Sequence, residues 1–201
     1  MSEPPRLATV TSTMDVPDTD EVLMLRYRNG DLDAFAALYH RYKGALYRYF
    51  VRQCPTSALA EELFQDVWLS LIHARERYTV QAKFTTYLFR LAHHRLIDYY
   101  RRQSSASVTA WNDGTGPEVE ELSVAAYQEP DNQVYIRTQI ARLLDLIQAL
   151  PEAQREAFLL REEAGMSIAD IAETTGVERE TAKSRLRYAL ARLRRGLRGE
   201  K

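Results

Sequence analysis

His93, His94 and Asp98 are the first residues whose types and spacing suggest chemistry, since His94 and Asp98 stand one helical turn apart and could share a metal ion. A metal site needs more donors than this. The other histidines, His40 and His73, fall in separate stretches of chain, and Cys54 is the single cysteine. No HExxH, nucleophile elbow or glycine-rich phosphate loop occurs. The sequence therefore predicts no catalytic group, no metal and no cofactor, and does not read as an enzyme. Cations and aromatics carry the stronger signal. Arg179, Lys183 and Arg187 recur at four-residue steps with Ser184 and Tyr188 beside them, and Tyr87, Arg90 and His94 recur at steps of three and four. Guanidinium and ammonium groups bind phosphates or guanine edges, and aromatic faces stack on unpaired bases. Rows of this kind need helices to position them.

The chain of 201 residues has room for one or two compact domains. At 45% hydrophobic and 27% charged it is neither wholly disordered nor fibrous. No apolar run approaches the ~20 residues that cross a bilayer, and the first residues carry no basic-then-apolar secretion signal, so a cytoplasmic protein without membrane insertion is expected. The 27 Lys and Arg against 28 Asp and Glu leave a net charge of −1, but the charge is segregated. Residues 1–25 carry one base and five acids (1 − 5 = −4), and 83–102 carry five bases and one acid (5 − 1 = +4). Residues 104–131 carry six acids and no base (−6), and 176–198 carry eight bases and two acids (8 − 2 = +6). Two basic helices separated by an acidic connector suggest two contacts with a polyanion.

Apolar spacing is helical almost throughout. Leu32, Phe35, Leu38, Tyr42, Leu46 and Phe50 recur at three- and four-residue steps, as do Leu59, Leu63, Val67, Leu71 and Ile72, with Pro55 before the second run and Ser57 as its expected cap. Phe84, Leu88, Leu91, Leu96 and Tyr99 form a third stripe. The composition between Ser104 and Asp131 reads as a flexible acidic linker. Beyond it periodicity resumes with Ile136, Ile140, Leu143, Leu144 and Ile147, and Pro151 suits the first turn of a helix over 151–163. The expected architecture is all-α. A disordered tail covers 1–17, a helical domain 18–103, the linker 104–131, and a second helical domain 132–201.

The stretch SIADIAETTGVERETAKSRLRYALARLRR, 167–195, has the pattern of a helix-turn-helix. Ser167 and Asp170 form a capping box, Ile168, Ile171 and Ala172 give a short apolar face, and Gly176 supplies the turn. Ala182, Leu186, Ala189 or Leu190, and Leu193 would bury the second helix, which turns its basic row toward a major groove. Upstream, KFTTYLFRLAHHRLIDYYRRQ sets Phe84, Tyr87 and Phe89 among Arg90, His93, His94 and Arg95, a mixture suited to single strands. Phe84, Leu88 and Leu91 read as core, whereas Tyr87, Arg90 and His94 lie on another arc.

Taken together the chain resembles the bacterial RNA polymerase sigma factors of the sigma-70 family, extracytoplasmic-function type. DLDAFAALYHRYKGALYRYF is similar to the family's opening helices, AEELFQDVWLSLIHA to its polymerase-docking helix, and FTTYLFRLAHHRLIDYYRR to its promoter-melting segment. ALPEAQREAFLLREEAGMSIADIAETTGVERETAKSRLRYAL resembles its minus-35-reading domain. The resemblance implies a protein that binds core RNA polymerase, on the β′ clamp helices, and directs promoter-specific initiation by recognising and opening promoter DNA, both duplex and single-stranded. It places polymerase docking on Glu62, Gln65 and Asp66. Minus-ten recognition falls on Tyr78, Lys83, Tyr87, Arg90 and His94, and minus-35 recognition on Arg179, Thr181, Lys183, Ser184, Arg187 and Tyr188. Tyr87 stands where relatives commonly have Trp, and His94 where many have Asn. Arg187 then Tyr188 reverses the usual aromatic-then-Arg order. The family also leads one to expect an anti-sigma factor as partner, and a linker that threads toward the polymerase channels; a coil of 28 residues spans ~30 Å.

A helix-turn-helix regulator that binds duplex operators as a dimer without polymerase is the alternative. It accounts for 167–195 but leaves 60–74 and 84–102 without a role. Such a regulator binds duplex DNA alone, whereas small sigma factors generally require core polymerase.

Overall fold

The computed structural model describes residues 18–106 and 130–199, and every regular element in them is helical. The expected tail and the centre of the expected linker lie outside the described residues. In chain order the helices are α1 (Asp20–Arg28), α2 (Leu32–Val51), α3 (Ser57–Ala74), a short 3-10 turn (Arg75–Arg77), α4 (Phe84–Ala106), α5 (Pro130–Gln148), α6 (Glu152–Ala164), α7 (Ile168–Thr175) and α8 (Arg179–Arg198).

Local chemistry sets the helix ends. The Asp31 carboxylate accepts from the amides of Asp33 and Ala34 at 3.0 and 3.2 Å and so starts α2. For α3 the cap is Thr56, whose hydroxyl accepts from the Leu59 amide at 3.3 Å, and the expected cap Ser57 is instead the first helical residue. The capping box of α7 is complete, with Ser167 Oγ accepting from the Asp170 amide and Asp170 accepting from the Ser167 amide. Gly165 and Gly176 end α6 and α7 in the left-handed region at φ 64° and 65°, where a Cβ is disfavoured. Pro151 is the N-cap of α6, one position outside the expected first turn.

Two helical domains result. The first packs α1 to α4 around Met24, Leu38, Leu46, Tyr49, Phe50, Leu71, Phe84, Leu88, Phe89 and Leu96, all essentially inaccessible to solvent. Aromatic contacts fill its flank: the ring of Phe35 meets Trp68 edge-on at 5.9 Å, and Tyr39 lies 4.9 Å from Trp68. The second domain packs α6 and α7 against α8 through Ala157, Leu159, Leu160, Ile171, Ala182, Leu186, Ala189 and Leu193. Ala189 fills the position that the sequence left between it and Leu190. At Gly196 a Cβ would sit 2.3 Å from a Leu146 methyl, so the absence of a side chain lets α8 lie close on α5.

The domains do not stand apart on a tether. α2 packs against α6, and α4 packs against α6 and α7, so that the buried side chains of both domains form one continuous core. This closure decides what each face can reach.

Candidate nucleic-acid interface

Three surfaces bear the residues singled out by type and spacing. On α3, Glu62 and Gln65 are exposed and Asp66 is half-buried, while Leu63, Val67 and Leu71 on the opposite side enter the core. The three polar groups therefore share one face, as helical steps of three and four require. Glu62, Leu63 and Asp66 border a narrow groove whose other wall, from α4, is Arg95, Asp98, Tyr99 and Arg102. Leu69, one turn beyond Gln65, is 51% exposed. An exposed leucine beside three polar groups is a feature that a core-stripe reading overlooks.

The second surface is a cavity of about 230 Å³ between the loop after α3 and the start of α4. Arg77, Tyr78, Gln81, Tyr87 and Arg90 contribute to its walls. Tyr78, which the resemblance places in minus-ten recognition, is buried, with its ring edge-on to Tyr87 at 5.2 Å. Burial, with the negative charges of Glu21 and Asp20 nearby, pushes its phenol up to about 12. Tyr78 is thus a neutral wall that backs Tyr87, and the guanidinium of Arg28 donates to its carbonyl at 3.1 Å to hold the loop. Burial also raises the Tyr87 phenol. Lys83 is exposed at the edge of this region, and the Glu21 carboxylate accepts from the first amide of α4, that of Phe84, at 2.7 Å. His94 is exposed one turn beyond Arg90 and does not line the cavity. Burial, His93 and Arg90 together hold its imidazole below the ordinary histidine range. Phe89, grouped by sequence with the aromatics suited to single strands, is fully buried, its ring edge-on to Tyr49 at 5.5 Å. It belongs to the core because it lies one position from Leu88 on a helix that is covered on both sides.

His93 does not join His94 and Asp98 in a donor set. Its Nδ1 stands 2.6 Å from Glu156 Oε1, across the domain boundary. Among the described residues no cluster of His, Cys, Asp and Glu could hold a metal ion.

The third surface is the outer face of α8. Arg179, Thr181, Lys183, Arg187 and Tyr188 are exposed and Ser184 is half-buried, while Ala182, Leu186 and Ala189 point inward. The Arg187 guanidinium lies over the Tyr188 ring at 5.0 Å, a cation–π contact that joins the reversed pair. Lys183 Nζ is 3.3 Å from Glu180, an exposed pair that a phosphate can displace. The turn preceding α8 is fixed by the left-handed Gly176 and by Val177, whose amide donates to the Ala172 carbonyl at 3.1 Å. A basic helix held this way by a short partner helix can enter a major groove.

The side chains joining the domains were not singled out from the sequence. Glu156 is buried between Tyr49, whose hydroxyl donates to it at 2.9 Å, and His93. Glu163 pairs with Arg48 at 2.7 Å and with Arg52. A signal was available, because Glu156 and Glu163 stand four before and three after Leu160, on the core stripe of α6 rather than on its polar face.

The arrangement has close counterparts. Residues 38–106 match the family description Sigma-70 region 2, and residues 140–193 match Sigma-70, region 4. The chain is 28% identical over 198 residues to the ECF RNA polymerase sigma factor SigK of Mycobacterium sp. (strain KMS), covering 96% of this chain and 95% of that protein. It is 30% identical over 171 residues to the RNA polymerase sigma factor CarQ of Myxococcus xanthus, covering 85% of this chain and 93% of that one. The fold is similar to that of the sigma factor RpoE from Bartonella quintana, solved in complex with the anti-sigma factor NepR, with a TM-score of 0.61 at 20% identity over 83% of this chain and 98% of that one. The cavity-bearing domain and the helix-turn-helix domain fall, in order, on the two matched regions, and the sequence likeness runs through both: the chain belongs to the sigma-70 family of RNA polymerase sigma factors, in its extracytoplasmic-function group.

Proposed function

We propose that this sigma factor divides promoter recognition among its three surfaces and contributes no chemistry of its own. The face of α3 with Glu62, Gln65 and Asp66, extended by Leu69, docks core polymerase on its β′ clamp helices. The cavity of Tyr78 and Tyr87 receives a base unstacked from the minus-ten element, while Lys83 and Arg90 hold the strand's phosphates and His94 faces the next base. Unstacking a base costs a few kcal/mol, which the aromatic wall and adjoining cations offset. The outer face of α8 reads the minus-35 element through Arg179, Thr181, Lys183, Ser184, Arg187 and Tyr188. It acts in the cytoplasm, where its polymerase and template are, and an anti-sigma protein is a further partner, by analogy with the complex of the Bartonella relative.

One observation supports this division most: the same chain carries a cavity with aromatic and cationic walls, suited to an unpaired base, and a basic helix projecting from a turn, suited to duplex. An operator-binding regulator needs only the second. Run-off transcription with purified core polymerase on genomic fragments tests the reading. The expected result is new start sites that appear only with this protein; tight duplex binding without polymerase, and no new starts, favours the regulator instead.

A further inference from the structure

The domains meet through opposite charges, and they do so on the minus-ten side of the first domain. From 152 to 175, α6, α7 and their turn hold six acids and two bases, 2 − 6 = −4, whereas 179–198 in α8 holds eight bases and one acid, 8 − 1 = +7. The second domain is thus polarised, and its acidic side is turned inward. Four of those acids engage the first domain. Glu156 takes the Tyr49 hydroxyl and stands beside His93; Glu163 pairs with Arg48 and Arg52; Asp170 lies 3.1 Å from Lys83; Glu173 lies 3.5 Å from Arg90. Lys83 and Arg90 are the cations assigned above to strand phosphates, and Glu173 also lines the cavity they flank. Meanwhile Glu62 and Gln65 on α3, and Arg179, Lys183 and Arg187 on α8, remain exposed.

We propose that α6 and α7 act as an internal nucleic-acid mimic, an autoinhibitory contact in which Asp170 and Glu173 take the places of strand phosphates and close the minus-ten face of the free protein. The proposal rests on the assignment of that face under the proposed function. Closure is selective. Polymerase docking and minus-35 reading stay available while single-strand capture is blocked, so the protein cannot seize unpaired DNA before it is assembled. The closing forces suit a switch. Lys83 is 67% exposed and Glu173 48%, and such pairs contribute little each and are screened by salt. Glu156 and Glu163 are buried, so their pairing largely balances desolvation, and separation rehydrates both partners. A partner that binds the domains apart then shifts the population by its differential affinity for the open form.

The test uses the full chain. A water-soluble carbodiimide, which joins an ammonium to a carboxylate in direct contact, should yield a Lys83–Asp170 cross-linked peptide by mass spectrometry, diminishing as salt is raised. Glu163→Arg places a cation against Arg48 and Arg52 and should reduce that cross-link. It should also strengthen capture of a fluorescein-labelled single-stranded DNA of mixed sequence by about tenfold, as expected if the competent form had been about one part in ten. Glu162→Arg, with the same charge change at an exposed site on the same helix, controls for added charge and should leave both readings near the starting values. Combining Arg48→Glu and Arg52→Glu with Glu163→Arg should restore the cross-link, which a merely misfolded variant would not do. Glu173→Gln, at an exposed site, should raise capture by a smaller factor. Absence of the cross-link in the unaltered protein overturns the closed state, and equal capture by Glu163→Arg and Glu162→Arg overturns the occlusion. Both measurements run without polymerase, so they stand apart from run-off transcription, whose failure would count against the sigma-factor assignment itself.

Discussion

The two proposed nucleic-acid faces are built on opposite principles. The row on α8 stands on one helix, spaced by the helix period, and its cations point to solvent. The minus-ten face is assembled from a loop, the start of α4 and a borrowed edge of α7, and its aromatics are largely part of the wall. A duplex presents its edges in a groove, so a projecting helix suffices to read it. An unpaired base must be enclosed, so its receptor needs buried surface as well as charge. Substitutions in the first kind of face should therefore cost recognition without stability, and those in the second should cost both.

Phe89→Ala separates the two kinds most strongly. Phe89 is fully buried against Tyr49, and truncating such a side chain costs about 3–5 kcal/mol. Chemical denaturation should show that loss, with the minus-ten face failing as α4 loosens. A variant of full stability that had lost only single-strand binding would return Phe89 to the contact surface.

Lys183→Ala sharpens the other side. Loss of a specific base contact is worth about 1–3 kcal/mol, so promoter-fragment binding by the holoenzyme should weaken about 5- to 150-fold at the minus-35 element. Affinity for core polymerase and the unfolding free energy should stay unchanged. Replacing Gln65 and Asp66 together should give the converse, losing polymerase and sparing the stability of α8. Loss of both functions in either variant would mean that the surfaces are not separate.

The contrast also explains what could be read in advance. The capping box Ser167–Asp170, the turn at Gly176 and the buried set Ala182, Leu186 and Leu193 are local, fixed by neighbours within a few residues, and the sequence pattern anticipated them. The burial of Tyr78 and Phe89 was not legible, because it depends on which elements cover α4, and residue type does not decide that: a tyrosine beside a basic stretch suits a wall as well as a contact. The closure of the domains was the hardest to anticipate. Glu156, Glu163, Asp170 and Glu173 lie on two helices separated by a left-handed glycine, so no single periodicity joins them, and their partners lie up to 115 positions away in sequence. Only the carboxylates on the core stripe of α6 hinted at it.

Gly176→Ala tests the turn itself, with a smaller effect. At φ 65° a Cβ crowds the backbone and costs roughly 1–2 kcal/mol, although the surroundings are open within 4 Å. Thermal melting should fall accordingly, and minus-35 binding should weaken through misorientation of α8 while the single-strand face is spared. If melting were unchanged, the tight turn would not be what orients the reading helix.

The smallest effect concerns His94. Burial lowers its pKa first, then the neighbouring charges of His93 and Arg90, with Asp98 opposing. The folded value therefore lies below the unfolded one, and between them the unfolded chain binds more protons. Stability must rise with pH through that window and fall as the pH drops from the ordinary histidine value through the folded one. At neutral pH the imidazole is then uncharged, presenting one donor and one acceptor, which fits the edge of a base better than a phosphate. His94→Gln should flatten this slope in denaturation curves measured from pH 7.5 down to 5.5. It should also leave the salt dependence of single-strand binding unchanged, whereas Arg90→Gln, which removes a cation, should reduce that dependence. A reduced salt slope for His94→Gln at neutral pH would make His94 a phosphate contact rather than a base contact.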